Sequence, residues 1–91
     1  APDQRAELAR LVGELKAALA AVPPETAADA AKLADRVAQL AEEATADGPD
    51  GDLVRDLGET VKRAAGKVAH AVPGVMTLAA AIVELVAAIV G

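Results

Sequence analysis

Ninety-one residues suffice for one small domain, and the chain contains no Cys, Trp, Tyr, Phe, Ser or Asn. An apolar share of 54% excludes ordinary disorder, yet 25 of the apolar residues are Ala, leaving ten Leu, eleven Val, two Ile and Met76 for a thin, close-packed core. A net charge of −5 argues against generic nucleic-acid binding, which relies on clustered Lys and Arg, and the lack of aromatic rings removes the stacking platforms of single-strand binders.

Three Pro/Gly breaks divide the chain: Val22-Pro23-Pro24, the acidic turn Asp47-Gly48-Pro49-Asp50-Gly51-Asp52, and Val72-Pro73-Gly74. Between them the apolar residues recur with helical period, which predicts four helices near 3–21, 24–46, 51–70 and 74–90. Short connections predict an all-α, antiparallel four-helix bundle in a single domain spanning 1–91.

In the first segment Leu8, Leu11, Val12, Leu15, Leu19 and Val22 form one apolar stripe, with Arg10, Gly13, Glu14 and Ala17 opposite. Pro2 fits a first-turn position, with Asp3 at the positive end of the helix dipole. Pro24-Glu25 opens the second helix. Its inward face, Ala30, Leu33, Ala34, Val37, Leu40, Ala41 and Ala44, is flat enough for a close neighbour. Asp29, Lys32, Asp35, Arg36, Gln39, Glu42 and Glu43 go to water.

Asp50 or Asp52 caps the third helix. Its expected buried face is Leu53, Leu57, Val61, Ala64, Ala65, Val68 and Val72. Arg55, Asp56, Glu59, Lys62, Arg63, Lys67 and His70 are expected in solvent. Gly58 and Gly66 inside this helix cost about 1 kcal/mol each relative to Ala. The fourth segment, VMTLAAAIVELVAAIVG, is apolar nearly all round, broken only by the line Thr77, Ala81, Glu84 and Ala88. Such a helix is normally fully enclosed, and a small four-helix bundle has no fully enclosed position.

Catalytic raw material is scarce. No Ser or Cys is present, and the single His70 falls on a polar helix face, where a surface histidine is the simplest reading. Paired carboxylates (Asp35 with Glu42 and Glu43, Asp52 with Asp56) lie on solvated faces with no apolar wall to raise a pKa. The acidic turn fails the calcium-loop pattern: from Asp47, position 3 is Pro49, position 5 is Gly51 and position 12 is Gly58. The expectation is a non-enzyme without metal or cofactor. Glu84, the only charge in the last 24 residues, is a solvated edge residue, a partner of Lys62 or Arg63, or an intramembrane carboxylate.

Charge is uneven. Residues 1–52 carry five basic and eleven acidic groups, and residues 53–91 four basic and three acidic, so the two halves can attract within or between molecules. The opening APDQRAELAR does not resemble a signal peptide, and the absence of cysteine leaves the compartment open with the cytoplasm as the default expectation. Ala1 in place of Met suggests a chain trimmed from a longer one.

Two functional classes survive. In the preferred one the chain is a protein–protein interaction and oligomerisation module whose fourth helix meets a copy of itself or a partner helix. Met76, Leu78, Ile82, Val83, Leu85, Val86, Ile89 and Val90 are the candidate contacts. Leu78, Leu85 and Ile89 lie on one flank, and Met76, Val83 and Val90 on the other; one flank is expected to enter the bundle and the other a partner. The alternative is a membrane-active helix, but Val75 to Val90 falls short of the roughly 20 residues needed to span hydrocarbon and has no Lys/Arg face. The amphipathic first helix, the PPE turn, the charged Ala-rich second helix and the closing VPGVMTLAAAIVELVAAIVG together resemble the small all-helical adaptor modules, effector-associated and death-like, of bacterial immunity and conflict-system proteins. That resemblance implies homotypic assembly that brings effector domains together.

Overall fold

The computed structural model describes residues 3–91. Asp3 starts the first helix by turning its carboxylate onto the following backbone: Oδ1 accepts from the N–H of Arg5 at 3.0 Å and of Ala6 at 3.4 Å. Two of the donors that every helix start leaves unpaired are thereby satisfied. α1 then runs Gln4–Leu19. The place expected for Pro2 lies outside the described residues. Pro24 opens the second segment as a tight 3-10 turn, Pro24–Thr26, before α2 takes over at Ala27–Thr45. The ring of Pro24 pre-sets φ where no N–H is needed.

The acidic turn connects and caps. Gly48 has φ 68, a left-handed conformation that a β-carbon disfavours. Of the two candidate caps Asp50 acts: its Oδ1 accepts from the N–H of Asp52 at 3.0 Å and of Leu53 at 3.3 Å. Its own N–H donates to Glu43 Oε1 at 3.1 Å, which ties the turn to the helix it leaves. α3 spans Gly51–Val68, and Gly74, with φ 80, turns the chain into α4, Val75–Val90. The helix ends lie within three residues of the sequence boundaries, the largest difference being the 3-10 turn that precedes α2.

Each helix packs on its neighbour in the chain, α1 also packs on α4, and α2 reaches across to α4. The Cα radius of gyration is 12.5 Å, which a chain this long reaches only when fully compacted. The core is aliphatic throughout: Leu8, Leu15 and Leu19 from α1, Leu33, Val37 and Leu40 from α2, Val54, Val61 and Val68 from α3, and Val75, Ile82 and Val86 from α4. Ion pairs contribute little between helices. Among the described residues, those formed are Arg10 with Glu7 and Glu14, and Arg55 with Asp52, all within one helix and exposed.

The inward face of α3 differs from the sequence expectation. Leu53 is 42% exposed and Leu57 only partly buried, while Val54 and Gly58 point inward with Val61, Ala65 and Val68. At 100° per residue the helix is turned by roughly 40° toward α4. The reason is Gly58: a β-carbon there would stand 3.3 Å from Val83 Cγ1, so the missing side chain is what lets α3 and α4 approach. A face that includes a glycine carries no hydrophobic signal and is passed over by periodicity.

Gly66 is different. Nothing outside its own helix lies within 4 Å of where its β-carbon would be, and its φ is not positive. Gly66→Ala is therefore expected to stabilise by about 0.5–1 kcal/mol through helix propensity, read as a rise of a few degrees in Tm.

Candidate interaction surface

On α4 the line Val75, Ala79, Ile82 and Val86 enters the core. Leu78, Leu85 and Ile89 border it on one flank, Val83 and Val90 on the other, all partly buried. Met76 is 45% exposed, and Thr77, Glu84, Ala87 and Ala88 face water. Ile82, at 0% exposure, and Val86, at 1%, are packed into the chain's own core. The division into an inner and an outer flank is corrected. The buried line runs between the flanks, so each is shared with a neighbouring helix. Apolar pattern all round α4 becomes little exposed surface because its outermost positions are Ala, Thr and Glu84 rather than Leu or Val.

Glu84 makes no ion pair with Lys62 or Arg63. It lies on the outward line of α4, turned away from α3 by more than a quarter-turn from Val83. His70 is exposed, in the turn that follows α3.

Of the remaining candidates, Val83 and Val90 face α3, while Ile89 borders the start of α1. Gly51 and Gly58 stand seven residues apart on one side of α3 and line a groove of about 480 Å³ against α4. Leu40, Val54, Val83, Val86, Ala87 and Val90 form its floor and walls, and Asp52, Arg55, Glu59 and Lys62 its rim. All four rim residues are exposed. The groove thus pairs an apolar floor with an exposed charged rim. It holds no hydroxyl, thiol or imidazole side chain and no buried acid–base pair. The rim was missed in the sequence because its charges read as a solvated face. The seven-residue glycine spacing was the available signal.

A second groove, of about 240 Å³, lies between α2 and α3. Lys32, Arg36, Arg63 and Lys67 surround it with Asp29 and Thr60, so four of the chain's nine basic residues gather at one place. Net charge conceals this, since the four come from two helices that meet only on folding.

Among the described residues no group of three His, Asp or Glu side chains is placed to hold a metal ion, and no helix is long and apolar enough to cross a membrane. No protein-family model, curated protein or solved structure matches the chain.

Proposed function

We propose that this chain is a non-enzymatic interaction and oligomerisation module, working in the cytoplasm as an adaptor of the kind attached to bacterial signalling and immunity effectors. The observation that carries the reading is the α3–α4 groove, an apolar concavity framed by charge and empty of catalytic groups. Met76, Val83 and Val90 remain as contacts on this side of α4, joined by Ala87. Assembly through the groove would bring together whatever domains are attached to the module.

The reading uses an antiparallel, up-down-up-down order of helices, and three neighbourhoods support that order. The start of α1 borders the end of α4, through Gln4, Arg5 and Ile89. Gly51 and Asp52, opening α3, share a groove with Val90 and Gly91. Arg5 and Leu8 share another with Ala41 and Thr45 near the end of α2.

Ala87 is exposed and lines the groove, so Ala87→Glu places a charge on the contact without touching the core. The wild-type chain is expected to self-associate as its concentration rises through the micromolar range, by light scattering. Ala87→Glu should weaken that by at least about tenfold while the helical circular dichroism stays unchanged. A wild-type chain that stays monomeric up to about 1 mM would overturn the reading, because the corresponding free energy is only about 4 kcal/mol.

A further inference from the structure

The groove's rim carries its charges in a definite order. Asp52, Arg55, Glu59 and Lys62 follow one another along α3 at intervals of three, four and three residues, which keeps all four on one stripe of the helix. Their signs alternate, minus, plus, minus, plus. Run antiparallel to itself, such a stripe meets its own complement: Asp52 faces Lys62 of the second copy, Arg55 faces Glu59, and each contact occurs twice. A parallel pairing in register would instead set every charge against its like.

From this we infer that the partner of the α3–α4 groove is a second copy of the same chain, bound about a two-fold axis that passes midway between Arg55 and Glu59 on the stripe. The inference rests on the interaction-module reading and deepens it by naming the partner and the register. A two-fold interface uses the same patch on both subunits, so self-complementarity is its requirement, and this stripe meets it. The rim is also available. Asp52 and Arg55 are joined only by a 3.9 Å contact between side chains 91% and 75% exposed, and Glu59 and Lys62 form no ion pair among the described residues.

Apolar contact comes from the same geometry. Gly51 leaves open space at one end of the rim, and the aliphatic stems of Arg55 and Lys62 can lie over Val83, Ala87 and Val90 of the opposite copy while their charged ends reach the opposite rim. The stripe from Asp52 to Lys62 is about 15 Å long at 1.5 Å per residue. A contact of that length lies at the small end of specific interfaces, so the dimer is weak, salt-sensitive and suited to reversible assembly.

The test exchanges charges at the centre of the stripe, where Arg55 and Glu59 are exposed and far from the helix ends. Arg55→Glu and Glu59→Arg each set two like-charged pairs across the axis. The double variant Arg55→Glu/Glu59→Arg restores both attractive pairs with the signs reversed. Each chain is followed by sedimentation equilibrium from about 10 µM to about 1 mM, with circular dichroism to confirm folding. The wild type should form dimers, each single variant should dimerise at least about tenfold more weakly, and the double variant should return to within about threefold of wild type. Raising salt from about 0.02 M to about 0.5 M should weaken the wild-type dimer. If the single variants dimerise as tightly as wild type, or the double variant fails to recover, the two-fold register is overturned. Should Ala87→Glu still abolish association in that case, the module reading stands without it. A wild type monomeric throughout overturns both.

Discussion

Ile82→Ala is expected to lower stability by about 2–5 kcal/mol, the usual cost of truncating a fully buried Ile. Ile82 is 0% exposed and sits midway along α4, which touches α1, α2 and α3. The surroundings cannot collapse easily, because the neighbouring core side chains are Val, Leu and Ala without flexible fillers, and the one Met lies outside. In a domain of this size each kcal/mol moves Tm by about 4–8 °C, so the loss should exceed about 10 °C in a thermal melt. Met76→Ala, at a position 45% exposed, should move Tm by no more than a few degrees. Equal effects at the two positions would show that α4 is not seated as described.

Gly58→Leu is expected to destabilise by about 1–3 kcal/mol, the usual cost of overpacking. The first carbon of any side chain there already meets Val83 Cγ1 at 3.3 Å, and three further carbons must enter the seam. Gly58→Ala should lie near neutrality: gained helix propensity, about 1 kcal/mol, offsets the few tenths of an ångström by which partly buried Val83 must yield. The pair of melts separates close approach from propensity. Were Gly58→Leu as stable as Gly58→Ala, α3 and α4 would not be in contact at this point.

The fold was largely legible in the sequence because its helices announce themselves twice, by period and by punctuation. Leu8, Leu15 and Leu19 recur at helical spacing and are buried; so do Leu33, Val37 and Leu40. Gly48 and Gly74 both adopt positive φ at breaks where a turn was expected. α3 was harder for a physical reason. Leu53 and Leu57 outweigh Val54 and Gly58 on any hydrophobic scale, yet shape decides the contact, and a glycine offers a shape that composition cannot register.

The surface was less legible. Periodicity identified α4 as the unusual helix but could not separate Ile82 and Val86, which fill the core, from Val83 and Val90, which border the groove. That distinction depends on where α3 and α1 sit. The groove that the rim charges frame, and the basic groove of Lys32, Arg36, Arg63 and Lys67, emerge only when two helices come side by side. Single-helix wheels assign every one of these groups to water, which is correct for exposure and silent about neighbours.

The most direct measurement of the central claim, that this chain associates through its α3–α4 groove, is the change in backbone amide NMR shifts on concentration from about 20 µM to about 1 mM. Concentration-dependent shifts are expected at Gly51, Arg55, Gly58, Glu59, Lys62, Val83, Ala87 and Val90, with α1 and the outer face of α2 unmoved. Shifts confined to α1 and α2, or spectra that do not change with concentration, would contradict it.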